Sequence, residues 1–250
     1  MINETFASGN SIMHGIDPRL RLIFAAIFSF TVALATQLPV LNQALLLSLI
    51  LVAAARLNLW DVIKRLGVIW GFLFLLWLVL PLTIEGEPLY RLGRLTFTRP
   101  GVFLSLQITL KANIILLGFI AMAATMDLAT MGNSLARLKV PEKMVHLLLL
   151  TYRYIFVIEY EYQRIIRAAK IRSFRPGTNM HTYKTYAYIV GMLFVRASER
   201  AARVHQAMKC RGFKGKFYSL HEFSISWKDW VWSAFMLLCI LLFLYTEWSL

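Results

Sequence analysis

Two short stretches of the chain carry the residues best suited to bind a protein partner. Residues 168–174 read Ala-Ala-Lys-Ile-Arg-Ser-Phe, and residues 207–213 read Ala-Met-Lys-Cys-Arg-Gly-Phe. An arginine at a helix end complements the negative pole of its own helix and still offers a planar fork of donors to a carboxylate or carbonyl. The repeat suggests two equivalent docking points, although two ordinary basic helix ends would show the same spacing.

Residue types that support catalysis or metal binding are sparse. His205 and Cys210 lie five positions apart, but no third ligand accompanies them, so we predict no metal site. The two cysteines, Cys210 and Cys239, have neither a disulfide nor a zinc spacing. The phosphate-binding pattern Gly-x-x-x-x-Gly-Lys-Ser/Thr does not occur. We therefore predict no catalytic residues and no cofactor bound by this chain.

The composition favours a membrane protein. Of 250 residues, 58% are hydrophobic and only 16% are charged, and the mean hydropathy is +0.60. Soluble domains are about 45–50% apolar. A net charge of +14 would suggest nucleic acid as the partner of a soluble protein. Because nothing beyond charge supports that, we expect a lipid bilayer and no nucleic acid.

Uncharged or nearly uncharged stretches long enough to cross a bilayer occur at residues 22–55, 66–84, 101–126 and 230–246. The first exceeds one span, and polar residues with a proline at 37–43 predict a hairpin of two short spans. Residues 144–158 are a candidate sixth span, although Arg153 favours a place at the interface. We predict an all-α fold, a polytopic membrane helix bundle of about five spans, with a cytoplasmic domain of long amphipathic helices.

The basic residues predict the orientation, because cytoplasmic loops are rich in Lys and Arg. Residues 137–228 hold 18 of the 27 Lys and Arg residues, whereas the stretch predicted outside holds three. Arg19 and Arg21 then mark the water side of the first span, which Asp17 caps. We predict a membrane domain of four spans at 1–126, a cytoplasmic domain at 127–228 and a last span at 229–250.

The cytoplasmic segment predicts two long helices. Pro141 and Glu142 are typical of a helix start, and apolar residues then recur every three to four positions to about Arg172. The second helix runs from about residue 186 to Arg211, with Gly212 at the position of a C-cap. Along this helix Arg196, Arg200 and Arg203 form a separate basic edge.

Several motifs together resemble the transmembrane (T) component of energy-coupling factor transporters, and within it the cobalt and nickel type, CbiQ. They are Asp17–Arg19, Thr151–Phe156, the helix end at Arg172, Leu193–Arg200 and Gln206–Phe213. The resemblance covers nearly the whole chain, and the element Ala-Met-x-x-Arg-Gly-Phe is its most specific part.

The resemblance implies a non-catalytic subunit of a multi-pass transporter in a prokaryotic cell (inner) membrane. Its implied partners are two ABC ATPase subunits (CbiO-like) that bind ATP and Mg²⁺, a substrate-binding S subunit (CbiM-like) and a small accessory membrane subunit (CbiN-like). The implied substrate is cobalt, with nickel next.

The resemblance also implies which residues meet the ATPases. Two Ala-Arg-Gly-like motifs are matched by Ile171-Arg172-Ser173 and Cys210-Arg211-Gly212. Ser173 departs from the glycine of the pattern and does not relieve a left-handed backbone as glycine does. The implied supporting residues are Ala168, Ala207, Met208, Phe213, Arg196 and Arg200.

Rival functions depend on other features. A self-contained permease or channel needs polar residues in mid-membrane, and only Lys111 qualifies; it is a functional candidate unless it snorkels or its helix starts later. A membrane enzyme acting on lipids needs paired acidic residues or histidine clusters at the interface, and none is evident.

Overall fold

The structure, a computed structural model, describes residues 11, 13–84, 88–92, 95–213 and 226–249. Its helices are α1 (Pro18–Leu34), α2 (Leu38–Ala54), α3 (Leu59–Thr83), α4 (Arg99–Met122), α5 (Leu128–Arg137), α6 (Glu142–Ile171), α7 (Met180–Cys210) and α8 (Trp227–Ser249). The predicted helical class is confirmed with one addition. Two strands, β1 (Pro88–Leu92) and β2 (Leu95–Thr98), pair antiparallel and lie between α3 and α4 in the chain.

The described residues group into two compact units. Residues 11–134 and 226–249 form one, here called the apolar unit, and residues 135–213 form the other, here called the basic unit. This grouping differs from the predicted division at residues 127–134 and 226–228, which belong to the apolar unit.

The apolar unit contains the helices that match the predicted spans. Among the described residues, α3, α4 and α8 are long and apolar enough to cross a membrane. Helices α1 and α2 have 17 residues each, or about 26 Å against a hydrocarbon core of about 30 Å. The chain is a multi-pass membrane protein, and the count of five spans stays a prediction. Helix α6, which contains the candidate sixth span, is not among the three.

The turn between α1 and α2 lies at residues 35–37, earlier than the predicted 37–43. Gln37 is the N-cap of α2, and Pro39 falls in its first turn, where the missing N–H costs no helical hydrogen bond. The polar residues Asn42 and Gln43 continue the helix. The proline therefore marks the start of the second helix rather than the turn before it.

Helix α4 is central in the apolar unit and packs against α1, α2 and α3. A Cβ atom on Gly118 would lie 2.6 Å from Cε1 of Phe28, so α1 lies directly against α4. A Cβ atom on Gly101 would lie 2.7 Å from the Pro81 backbone, so the start of α4 lies against the end of α3. Both contacts depend on the missing side chain of glycine.

Two buried aspartates, Asp17 and Asp229, connect the start of α1 to the start of α8. The Asp17 N–H donates to Oδ1 of Asp229 at 2.8 Å, and the Ser226 N–H donates to Oδ2 at 2.7 Å. Asp17 also accepts from the Arg19 N–H at 2.9 Å, which confirms the predicted cap of α1. One carboxylate thus satisfies donors at the starts of both α1 and α8.

Arg21, predicted to mark the water side of the first span, has polar partners inside the protein. Its side chain is buried, donates from Nε to the Met122 carbonyl at 3.1 Å, and also bonds the Thr125 hydroxyl. Met122 is the last residue of α4, whose final carbonyls have no partner within their own helix. Arg21 therefore caps α4 from the neighbouring α1.

Lys111 also donates a hydrogen bond to the end of a neighbouring helix. Its Nζ donates to the Ala33 carbonyl at 3.0 Å, in the last turn of α1. Beside it, Glu247 accepts from the N–H and the hydroxyl of Thr36 at 2.8 and 2.7 Å. Because α4 begins at Arg99, before the predicted start at residue 101, the alternative of a later helix start is wrong. The ammonium group complements the negative end of α1.

The basic unit consists mainly of α6 and α7. The predicted bounds of α6 are confirmed, with Pro141 as N-cap and Arg172 as C-cap. Helix α7 begins at Met180, six residues before the predicted start, and its C-cap is Arg211, one residue before the Gly212 predicted for that position. The early turns of α7 contact the segment after α6, where the Phe174 ring lies 5.9 Å from that of Tyr186. This contact stabilises a start that local pattern does not reveal.

Candidate functional site

The two arginine-containing stretches fold into the same backbone motif at the ends of α6 and α7. At the first, the Phe174 N–H donates to the Ala169 carbonyl at 3.1 Å and the Ser173 N–H donates to the Lys170 carbonyl at 3.0 Å. These are the two bonds of a Schellman motif, which closes a helix through a left-handed residue.

The second stretch repeats those bonds position for position. The Phe213 N–H donates to the Met208 carbonyl at 3.0 Å and the Gly212 N–H donates to the Lys209 carbonyl at 3.0 Å. In addition, the arginine N–H groups bond the carbonyls of Ala168 and Ala207 at 3.3 and 3.2 Å. The two ends are therefore structurally equivalent.

The left-handed position falls on a different residue type in each motif. Gly212 has φ +78° and Ser173 has φ +63°. Glycine adopts this region freely, whereas a residue with a side chain is strained there. Ser173 thus keeps the glycine geometry at a conformational cost.

Both arginines are C-caps of their helices and are exposed, with closely similar φ angles of −83° at Arg172 and −86° at Arg211. Their neighbours Ile171 and Cys210 are exposed too, Ile171 to 86%. Neither guanidinium forms an ion pair with any residue that the structure describes. Exposed, unpaired arginines at fixed helix ends can bind an acidic or carbonyl-rich surface of another protein.

The two arginine ends lie at opposite ends of an antiparallel helix pair. Phe174 contacts Tyr186 near the start of α7, whereas Glu161, earlier in α6, contacts Arg196 and Arg200 later in α7. Going forward along α6 therefore means going backward along α7. Each arginine end points away from the middle of the pair.

Arg196 and Arg200, predicted to form a basic edge with Arg203, both pair with an acidic residue of α6. Arg196 Nη1 lies 2.9 Å from Oε2 of Glu161, and Arg200 Nη2 lies 3.3 Å from Oε1 of the same carboxylate. Both arginines thus join α7 to α6. Sequence reasoning missed Glu161, because its partners are far away in the sequence and no local pattern marks it.

An apolar groove of about 500 Å³ runs between α6 and α7. Its walls include Leu150, Tyr154 and Ile158 on α6, and Ala197 and Val204 on α7. The supporting residues Met208 and Phe213 also line it, so the second arginine end adjoins this groove. Within the described residues, no three His, Cys, Asp or Glu side chains come together to hold a metal ion.

Comparison with known families agrees with these motifs. The model of the family described as cobalt transport protein, CbiQ, matches residues 9–223. The chain belongs to the CbiQ family. The match includes both arginine stretches and every helix from α1 to α7. The resemblance inferred from the sequence motifs is thereby confirmed.

Relatives of this CbiQ-family chain carry the name energy-coupling factor transporter transmembrane protein EcfT. The protein of Brevibacillus brevis is 27% identical over 90% of this chain and 89% of its own length. That of Bacillus subtilis is 27% identical over 86% and 85%, respectively. A Bifidobacterium longum protein named putative ABC transporter ATP-binding protein is 26% identical over 96% of this chain and 33% of its own length.

Proposed function

We propose that this chain is the membrane-embedded coupling subunit of an energy-coupling factor importer. Two cytoplasmic ABC ATPases bind ATP and Mg²⁺ and act on α6 and α7. These helices transmit the ATPase movement to a separate substrate-binding S subunit, CbiM-like, with a CbiN-like accessory subunit. The N-terminus and the basic unit are cytoplasmic, in a prokaryotic inner membrane.

The observation that carries the proposal is the pair of equivalent arginine ends. Each presents one exposed guanidinium, Arg172 or Arg211, from a rigid Schellman motif. They lie at opposite ends of α6 and α7, so two copies of one ATPase can each take one end with the same contact. A single binding partner would not require two matching ends.

The comparisons supply the chemical context. The names of the relatives refer to energy-coupling factor transport, and one relative is named an ATP-binding protein of an ABC transporter. The family description refers to cobalt. We therefore propose cobalt as the transported ion, with nickel next, and place its binding on the S subunit.

The test is to co-express this chain with ABC ATPase and S-subunit proteins of the same organism and to measure which of them co-purify with it. Reversing the charge in Arg211→Glu or Arg172→Glu opposes a partner carboxylate and should weaken ATPase binding by about 2 kcal/mol or more, roughly 30-fold. The matched control is Arg203→Glu, which makes the same charge change on an exposed residue of α7 whose ion pair stays within its own helix. Its ATPase yield should stay near wild type.

Several results would contradict the proposal. The helix ends would have no specific role if the wild-type chain bound no ATPase. The same would follow if Arg203→Glu and Arg211→Glu lost equal amounts of co-purified ATPase. Solute movement by the chain alone in liposomes without ATP would favour the permease reading. Uptake of radioactive cobalt against nickel by the whole complex then decides the substrate.

A further inference from the structure

Helices α6 and α7 share little buried surface. Within the described residues of the basic unit, Val145 is the one buried residue of α6, and Thr182 and Ile189 are those of α7. The groove between the helices is open and apolar. Apolar contacts have no preferred direction, so they do not by themselves set the angle between two loosely packed helices.

One directional contact lies in the middle of the pair. The Glu161 side chain is only 15% exposed, although it lies on a largely exposed helix. Arg196 and Arg200, one turn apart on α7, each approach a different oxygen of its carboxylate, at 2.9 and 3.3 Å. Two planar donors on one carboxylate restrict rotation more than a single ion pair does.

This contact lies several helical turns from each of the two arginine ends. Arg172 lies 11 residues beyond Glu161 on α6, and Arg211 lies 11 residues beyond Arg200 and 15 beyond Arg196 on α7. At 1.5 Å per residue the arm on α6 is about 16 Å long and the arm on α7 about 16–22 Å. Because the helices are antiparallel, a rotation at the contact moves the two ends by similar amounts.

We infer that Glu161 is a positioning residue, whose carboxylate, held by Arg196 and Arg200, fixes the crossing of α6 and α7. It thereby sets the placement of Arg172 relative to Arg211. The transport consequence rests on the proposed function, since only a partner at each end makes their relative placement matter. The geometric part stands on the contacts of the basic unit alone.

The chain offers a matched control in Glu199. This glutamate pairs with Arg203 at 3.7 Å within α7, and both side chains are well exposed, at 60% and 67%. Glu161→Gln and Glu199→Gln remove the same charge and keep the same shape. Only the first removes a contact between the two helices.

The test uses the full-length chain in complex with its ATPases and S subunit. Spin labels are attached at Lys170→Cys and Gln206→Cys, in a background with Cys210→Ser and Cys239→Ser. Pulsed electron paramagnetic resonance then measures the distance between the two arms. ATPase co-purification and metal uptake per ATP hydrolysed are measured on the same variants without labels. A triple variant with reversed charges, Glu161→Arg with Arg196→Glu and Arg200→Glu, tests rescue.

We expect Glu161→Gln to broaden the distance distribution and to lower uptake per ATP at least about fivefold, with ATPase co-purification unchanged. A fivefold change matches the loss of one cross-helix coupling of ordinary strength. Glu199→Gln should behave as wild type, and the charge-reversed triple variant should narrow the distance distribution again. A variant that failed to fold would also lose ATPase co-purification. Reduced uptake with unchanged co-purification therefore shows an effect on coupling rather than on ATPase binding.

The inference is overturned if Glu161→Gln leaves distance distribution and uptake unchanged, or if Glu199→Gln has the same effect. If the wild-type chain binds no ATPase, the proposed function fails. In that case the distance distribution of the isolated chain still decides the geometric part: broadening by Glu161→Gln alone supports it, and no broadening refutes it.

Discussion

Ser173 has a left-handed backbone at the first arginine end, and Gly212 holds the equivalent position at the second. Exchanging the two residue types should therefore change the stability of the two helix ends in opposite directions. Ser173 has φ +63° and Gly212 has φ +78°, in motifs with the same hydrogen bonds. A side chain in this region costs about 1–2 kcal/mol. Glycine relieves that cost but loses about 0.4–1 kcal/mol through the greater freedom of the unfolded chain. Ser173→Gly should therefore stabilise the end of α6 by about 0.5–1 kcal/mol, and Gly212→Ser should destabilise the end of α7 similarly.

Hydrogen exchange of the capping amides measures this directly. The Phe174 N–H, bonded to the Ala169 carbonyl, should exchange about two to five times more slowly in Ser173→Gly. The Phe213 N–H should exchange faster in Gly212→Ser by a similar factor. The control is Thr178→Gly, in the loop after α6, where the backbone is not left-handed.

Faster exchange at Phe174 in Ser173→Gly would refute the equivalence of the two ends. So would slower exchange in the Thr178→Gly control, since that would show a general effect of added glycine. The ATPase should still bind Ser173→Gly, because the arginine and its backbone remain in place. Its loss would mean that the serine hydroxyl itself contacts the partner.

Three further predictions concern the apolar unit, each measured as the thermal midpoint of the purified chain in nanodiscs. Gly118→Val should cost about 1–3 kcal/mol, because a Cβ atom there would lie 2.6 Å from Phe28, and adding Phe28→Ala should give a combined loss smaller than the sum of the two single losses. Arg21→Gln should lower the midpoint by several degrees, because the last carbonyl of α4 loses its donor; an unchanged midpoint would contradict the cap. Lys111→Met should cost about 0.5–1 kcal/mol and leave metal uptake near wild type, whereas lost uptake in a stable protein would give Lys111 a role in transport.

Much of the helical architecture could be predicted because its signals are local. Uncharged stretches gave the positions of α2, α3, α4 and α8, and Asp17 and Pro18 marked the start of α1. The paired strands β1 and β2 lie between two predicted spans and were not predicted. Their strand pattern is short, although Thr and Phe suit a strand at residues 95–98.

The two arginine ends of the candidate site could be predicted from the sequence, whereas the contact between α6 and α7 could not. Arg172 and Arg211 stand in repeated heptapeptides, so their likeness is visible in the sequence itself. Arg196 and Arg200 look like ordinary surface charges on a helix, which is the usual role of such residues. Their shared partner, Glu161, lies 35 and 39 positions away, so only the fold brings the three together.

The sequence by itself determined the membrane class, most helix positions and the two arginine ends. Each of these depends on neighbours within one or two helical turns. The tertiary structure alone decided that Arg21 is buried as a cap, that Lys111 serves the end of α1 and that Glu161 joins α6 to α7. A charged residue reads the same in sequence whether it meets water or a distant partner, and the difference arises only when the helices pack.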